Sequence, residues 1–362
     1  MPRFSKLSLS VAAVAVVFAA SPVLASSDIA GMDVLKTWNL VVLGDLTSSS
    51  EVEGRTFVGG NLDGNASNYQ ITALPASSTG TPGLTVVGDV NGGYKNLNNG
   101  SGAVVGGNVN SGLNLNGAAQ TVQVGGTISN TNVNNNTVTS GLAASNPQFT
   151  QDLAQQKSLI STSMESLSHS MSTQAANSQL SINGNTGTFS AQPDSTGVAV
   201  FNISAADLDK IGEIKFNLNG ADTAIVNVSG SSIKLNDNFL GGTNNLGEHV
   251  IWNFYEADDL SLTTAWGGSV LAPSAAATTS NYIQGSAVFG SLVQNGEMHV
   301  GTYTGSYTPP SDPNPPSTSG GSTAVPEPGE LSIFALGLGA LLFRRQLGRN
   351  LGGLFGRRRK VG

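Results

Sequence analysis

Residues 38–145 contain no long run of apolar positions at helical spacing. Short apolar segments take its place, each closing on glycine or asparagine, and the segments resemble one another. Leu43-Gly44-Asp45-Leu46 matches Val87-Gly88-Asp89-Val90. Val58-Gly59-Gly60-Asn61-Leu62 matches Val105-Gly106-Gly107-Asn108-Val109 and, less closely, Val124-Gly125-Gly126-Thr127-Ile128. Their leading residues are 15, 29, 18 and 19 positions apart. Apart from the 29, which leaves room for a second turn or a loop, each step suits one coil of a β-solenoid. A coil this short cannot bury its apolar side chains alone, but stacked coils bury them against one another. Glycine supplies positive-φ corners, and asparagine tolerates the same corners and stacks in hydrogen-bonded ladders. Thirteen asparagines between positions 91 and 136 suit that use. A disordered Gly/Asn tract is the alternative. Against it stand the recurring pairs Val86-Val87, Val104-Val105 and Val122/Val124.

The pattern then changes period. Asn146 in a capping position and Pro147 at the first helical one open a helix over about 147–173. Phe149, Leu153, Ile160, Leu167 and Met171 share one face, which Gln156 and Ser163 interrupt, so the helix should lie on the flank of the coils. Strands resume at 179–182, 198–203, 215–218, 224–228, 250–254, 260–262, 269–271, 283–292 and 298–303. These elements predict a mainly β fold: a parallel β-solenoid (β-helix) over 26–308 with one long helix packed alongside.

The two ends read as targeting segments. Arg3 and Lys6 precede an apolar run from Leu7 to Ala20, and Val23 and Ala25 fit a signal peptidase site. Residues 1–25 are therefore expected to be a signal peptide cut between Ala25 and Ser26. Residues 309–324 form a Pro/Ser/Gly linker that cannot build a core. Beyond it come Val325-Pro326-Glu327-Pro328, an apolar helix over 331–343, and Arg344-Arg345, with a basic tail over 350–362. Thirteen apolar positions are short for a membrane span, but the arginines would hold that end on the cytoplasmic side.

Composition narrows the function. Among 362 residues, 11% are charged and none is cysteine, which excludes disulfide scaffolds, zinc-thiolate centres and cysteine nucleophiles. Between residues 26 and 324 there are 7 basic and 21 acidic side chains, a net charge of −14, so no nucleic-acid partner is expected.

The tail, Val325-Pro326-Glu327-Pro328 followed by an apolar helix and arginines, resembles a PEP-CTERM sorting signal over 325–349. Its basic extension is longer than the short arginine tail of that pattern. The resemblance implies an exosortase-type processing enzyme as partner and only transient insertion in the inner membrane. It also implies delivery to the envelope surface or extracellular matrix of a Gram-negative bacterium.

The body carries motifs in a recognisable order. Trp38-Asn39-Leu40-Val41-Val42-Leu43-Gly44-Asp45 comes first, then Val52-Glu53-Gly54-Arg55 and Val58-Gly59-Gly60-Asn61-Leu62. After the helix come Ile225-Val226-Asn227-Val228-Ser229-Gly230, Ile251-Trp252-Asn253-Phe254 and Gly268-Ser269-Val270-Leu271-Ala272-Pro273, then Ile283-Gln284-Gly285 and Glu297-Met298-His299. This series resembles the choice-of-anchor A domain of bacterial surface proteins. The resemblance implies an adhesin-like solenoid, similar in shape to bacterial ice-binding domains, with no established catalytic activity.

No constellation for catalysis stands out. Glu51, Glu53 and Arg55 alternate along one strand face, and a neighbouring guanidinium would lower both carboxylate pKa values, which suits a surface ladder better than the acid of a glycosidase. Asp207/Asp209 and Asp258-Asp259 are candidate Ca²⁺ ligands, but neither pair sits in a calcium-loop motif, and no other cofactor is indicated. His249 and His299, with Glu248 and Glu297 nearby, would have to meet across coils to hold a metal. Thr137-Val138-Thr139 and Thr302-Tyr303-Thr304 do not recur at coil spacing, as an ice-binding ladder would require. The expected function is an exported, non-catalytic adhesive or matrix protein whose partner is extracellular polysaccharide or a cell-surface group. The alternatives are a polysaccharide-active enzyme on the same scaffold and, less favoured, an ice-binding protein.

Overall fold

The computed structural model describes residues 29–309. The signal-peptide reading, with its cut between Ala25 and Ser26, lies outside the described residues. So do the linker beyond Pro309, the sorting motif with its apolar helix, and the basic tail.

Alternation of buried and outward positions builds the elements. Within one turn of chain, Thr56–Val58, Leu62–Asp63 and Ser67–Tyr69 are separate short strands, and Phe57, Val58, Leu62 and Tyr69 are fully buried. Each of these strands pairs in parallel with its counterpart in the next turn. Val58 meets Val86, Val86 meets Val105, and Val105 meets Val124. Leu62 bridges to Val90, Val90 to Val109 and Val109 to Ile128. Ser67–Tyr69 pairs with Lys95–Leu97, which pairs with Leu113–Leu115. The steps seen in the sequence are thus the register of long parallel sheets, the largest with 15 strands and the next with 7. The 29-residue step is a loop. No strand forms between Tyr69 and Leu84.

Glycine does a different job at these corners from the one its backbone freedom suggests. Gly60 donates its amide to the Gly44 carbonyl, Gly88 to Gly60, Gly107 to Gly88 and Gly126 to Gly107, at 2.8–3.0 Å. A Cβ on Gly106 would lie 2.2 Å from the Val87 carbonyl oxygen, and one on Gly125 1.9 Å from that of Gly106. Space, not positive φ, demands glycine there. Positive φ appears at the following corner, at Gly64, Gly92 and Gly112.

The order of the stack is not the order of the chain. From Leu40–Val42 the coils advance to Thr137–Thr139 at one end of the largest sheet. The helix Pro147–Ser172 then carries the chain back. Strand formation in that sheet restarts at the opposite end with Val198–Ser204 and steps inward through Thr223–Ser229, Val250–Asn253 and Ser269–Thr279 to Ala287–Gln294. That last strand pairs with Leu40–Val42, so the final coil seats on the first. Asn39 closes the seam. Its Nδ2 donates to the carbonyls of Gly285 (2.8 Å) and His299 (3.0 Å), and its Oδ1 accepts from the Gly54 amide at 2.9 Å.

The 26-residue helix is about 39 Å long at ~1.5 Å per residue and spans this seam. Phe149 and Leu153 pack against Val104 of the first half, while Ile160, Met164, Leu167 and Met171 share a core with Ile225, Ile251 and Leu271 of the second. Met164 fills the place where Ser163 would have broken the apolar stripe.

Strand boundaries differ in informative ways. The 283–292 segment divides at Gly285 into Ile283–Gln284 and Ala287–Gln294, which serve different sheets. Ser269–Thr279 runs well beyond Leu271, with a register shift between Ala272 and Ala276 that lets one strand pair with two neighbours in turn. Of 298–303 only Met298–His299 is strand. A four-stranded side sheet contains Thr186–Ser190 and Asn238–Phe239, two strands too polar or too short to show in the sequence.

Candidate binding surface

Inward positions of the first-half coils are mostly aliphatic, with Tyr69 and Lys95 the large exceptions, so the alternate, outward positions carry most of the accessible chemistry. Outside Leu62, Val90 and Val109 stand Asp63, Asn91 and Asn110. Asn91 Nδ2 donates to Asp63 Oδ1 at 2.9 Å and Asn110 Nδ2 to Asn91 Oδ1 at 2.8 Å. A second column runs through Glu51, Asn68, Asn96 and Asn114. Asn68 Nδ2 donates to Glu51 Oε1 at 3.0 Å and Asn114 Nδ2 to Asn96 Oδ1 at 2.7 Å. Beside it Asn116 donates to Asn98 at 3.2 Å. The corner itself is laddered: Asp45 Oδ1 accepts the Asn61 amide at 2.7 Å, Asn61 Oδ1 that of Asp89 at 2.9 Å, and Asp89 Oδ1 that of Asn108 at 2.6 Å.

Rungs on paired parallel strands recur every ~4.8 Å. Asn91 commits one N–H and one oxygen lone pair to its column, Asn68, Asn110 and Asn114 commit one N–H each, and the amide donors and acceptors that remain are left for an outside partner. The result is a row of oriented amides. It can hydrogen-bond a chain that repeats its hydroxyls.

Lys95 lies beneath these columns, fully buried, its Nζ donating to the carbonyls of Gly64 (3.3 Å) and Asn65 (2.7 Å). Burial pushes its pKa down to about 8.

The residues singled out from the sequence are placed as follows. Glu53 Oε2 accepts the Val300 amide at 2.6 Å and so ties the first coil to the last. Glu51 is engaged by Asn68, and Arg55 donates to the Pro75 carbonyl. The Glu51–Glu53–Arg55 ladder therefore does not form, because each side chain turns to a different neighbour. Gly54 packs on Asn39, where a Cβ would lie 2.6 Å from its Cβ. Gly44, Asp45, Gly59 and Gly60 make the corner already described. Asn227 and Asn253 are buried beneath the helix. Trp252 Nε1 donates to the Gly267 carbonyl at 2.9 Å, and Phe254 stacks parallel to its ring at 6.4 Å. Gly230 donates its amide to Glu256, Gly285 turns the chain between two sheets, and Ala272 and Pro273 lie at the register shift.

His299 and His249 do not share a site. His299 pairs with Glu297 at 2.8 Å and stacks on Tyr282 at 4.4 Å, whereas His249 Nδ1 faces the Asp222 carbonyl at 2.9 Å. Asp207 caps a short helix and pairs with Lys210 at 2.8 Å, and these bonds, Lys210 first, hold its pKa down near 2. Among the described residues no group of three or more His, Asp or Glu side chains is placed to hold a metal ion. No described helix is long and apolar enough to cross a membrane.

Reading by residue type missed Asn39, whose role depends on a coil almost 250 residues away, and Asn202, which joins Asn227 in a ladder. Its presence in the first motif was the one available signal for Asn39.

Long parallel sheets stacked turn upon turn, with one helix laid across them and outward amides in rows, define a mainly β, coil-stacked domain. The chain belongs to the family described as "Putative Ice-binding-like adhesive domain", whose model matches residues 31–300. The comparison with curated proteins gives no match, and neither does the comparison with solved structures.

Proposed function

We propose that this protein is an exported, non-catalytic adhesive protein of the choice-of-anchor A type, whose β-solenoid body binds extracellular polysaccharide and which is sorted by a PEP-CTERM route through an exosortase-type enzyme. Its place is the cell surface or the extracellular matrix of a biofilm. Membership of an adhesive family supports the adhesive part of this reading. The observation that carries the choice of partner is the set of amide columns, Asp63–Asn91–Asn110 and Glu51–Asn68 with Asn96–Asn114. Many weak, regularly spaced hydrogen bonds suit a polymer, since each repeat engaged raises the effective concentration of the next.

The test is co-sedimentation of residues 26–308 with the producer's exopolysaccharide. Replacing Asn91, Asn110, Asn96 and Asn114 together by alanine should lower binding about tenfold or more while leaving the fold intact, because these side chains point outward. A body that binds neither the polysaccharide nor the cells ends the proposal.

The family description makes ice a second reading worth one measurement. The outward column Lys234, Ser261, Thr278, Val293, Thr47 and Asp63, in register across the sheet, mixes charge, methyls and hydroxyls. Such a column does not present a uniform hydroxyl row, so no thermal hysteresis is expected. For the enzyme reading, release of reducing sugars that Glu53→Gln abolishes is the observation that would revive it.

A further inference from the structure

Among the described residues, Tyr94 is the one Phe, Tyr or Trp side chain in the exposed class, at 43%, whereas Trp38, Trp252 and Trp266 are buried. Burial alternates along Tyr94-Lys95-Asn96-Leu97-Asn98, with Lys95 and Leu97 inward, so Tyr94, Asn96 and Asn98 share the outward face. Ser67–Tyr69, Lys95–Leu97 and Leu113–Leu115 pair in register, which places Ala66 and Gly112 on either side of Tyr94. Both are small, and the ring keeps its exposure between them. It is also held. Gly112 is buried, and a Cβ there would lie 2.8 Å from Tyr94 Cε1, so the ring rests on that glycine.

Amides adjoin the ring. About 6.6 Å along the strands, Asn114 Nδ2 donates to Asn96 Oδ1 at 2.7 Å, and one step further Asn116 Nδ2 donates to Asn98 Oδ1 at 3.2 Å. A tyrosine fixed in this way offers a flat, amphipathic contact at little entropic cost. Charge then selects the kind of ligand. Asn96 through Gln151 contain no Asp, Glu, Lys, Arg or His. Lys95 is buried with its Nζ on the Gly64 and Asn65 carbonyls, so it presents no surface cation. The amide columns begin with the carboxylates of Asp63 and Glu51, which repel an anionic chain. A neutral pyranose has what this surface reads: a C–H face whose burial against the ring is favourable, and hydroxyls that pair with amides.

We propose that Tyr94, Asn96 and Asn114 form a subsite for a neutral pyranose unit of a polysaccharide, with the tyrosine ring stacked on the C–H face of the sugar and the two amides on its hydroxyls. The proposal narrows the polysaccharide reading above to one sugar class and one place on the surface, and rests on that reading.

Isothermal titration of the full chain with cellohexaose and β-1,4-mannohexaose, both neutral, and with anionic hexagalacturonate tests it. At least one neutral chain should bind, and hexagalacturonate about tenfold or more weakly. Tyr94→Phe should bind as the parent does, because the stacking ring stays. Tyr94→Leu should bind about tenfold more weakly, because it still covers Gly112 but offers no flat face. Thermal unfolding checks the fold of both variants. Should Tyr94→Leu fail to fold, saturation-transfer NMR on the parent decides the matter: irradiating tyrosine ring protons should saturate the C–H protons of the bound sugar. The proposal is overturned if neither neutral chain binds, if hexagalacturonate binds as tightly, if a folded Tyr94→Leu binds as the parent does, or if no saturation passes to the sugar. Exopolysaccharide binding that falls when Asn91 and Asn110 are replaced but survives Tyr94→Leu would overturn this subsite and leave the general adhesive reading standing.

Discussion

Asn253 donates through Nδ2 to the side-chain oxygen of Asn227 at 2.8 Å, one buried rung hydrogen-bonded to the next. Asn227 in turn donates to Asn202 at 2.9 Å. Each rung directs an N–H to the helix side: Asn253 to the Ser168 carbonyl (2.8 Å), Asn227 to that of Met171 (2.8 Å) and Asn202 to that of Gln174 (3.0 Å). Three residues of helix advance ~4.5 Å, close to the ~4.8 Å between strands, so a carbonyl at every third position meets every strand in turn. The Ser168 hydroxyl returns a bond to Asn253 Oδ1 at 2.6 Å. Both N–H groups and the oxygen of the two buried rungs, Asn227 and Asn253, are bonded, which makes them rigid and costly to break.

Asn253→Leu should therefore destabilise the domain by about 2–4 kcal/mol, because it strands Ser168 and the Asn227 oxygen in a dry interface. A double-mutant cycle between Asn227 and Asn253 should show a coupling of about 1 kcal/mol, read from urea unfolding. Additive effects of the two changes would mean that the rungs act independently.

Asn39→Ala should open the seam between first and last coils. It leaves the carbonyl of Gly285 and the amide of Gly54 without their side-chain partner, and the His299 carbonyl with only the Gly285 amide at 3.3 Å. Hydrogen exchange should speed up at Gly54 and its neighbours, while the distant Thr121–Val124 strand keeps its protection. Equal loss of protection in both places would show that the coils unfold as one unit.

Gly125→Ala should cost about 2 kcal/mol or more in thermal or denaturant unfolding, since the new Cβ meets a backbone oxygen 1.9 Å away. Gly184→Asn is the control. Its φ is 60°, a region asparagine accepts, and nothing lies within 4 Å of the added Cβ, so stability should be unchanged.

Asp237 gives a pH signature. It is 1% exposed, its Oδ1 has no partner, and burial pushes its pKa up from 3.8 to about 6. Between those values the folded chain keeps a proton that the unfolded chain releases, so stability falls as pH rises through that window. The penalty is complete above pH 6 and absent below 3.8. Asp237→Asn should then raise stability at pH 8 by on the order of 1 kcal/mol and by nothing at pH 3.5. A variant that gains equally at both values would show that charge is not the cause.

Much of the candidate surface was legible because local rules set it. Once Val58, Val86 and Val105 are taken as inward, alternation alone puts Asn91 and Asn110 outside in a column, and the repeat spacing gives their register. A cavity beside the 71–82 loop was not legible. Arg55 and Gln70 bound one coil and Ser101 lies just before a later one, so the cavity they line is a property of how those coils and the loop meet.

Taken alone, the sequence determined the coils, their corners and the helix, since these follow from steps of 15 to 19 residues, from Gly and Asn between β-branched pairs, and from a 3.6-residue stripe after Pro147. Only the tertiary structure decided the order of the stack. Parallel coils present the same backbone edge to either neighbour, so local pattern cannot say which edge the second half will meet. Ala287–Gln294 lies against Leu40–Val42 because Asn39, Glu53 and the helix all complete their bonds and burial there, across almost 250 residues of chain.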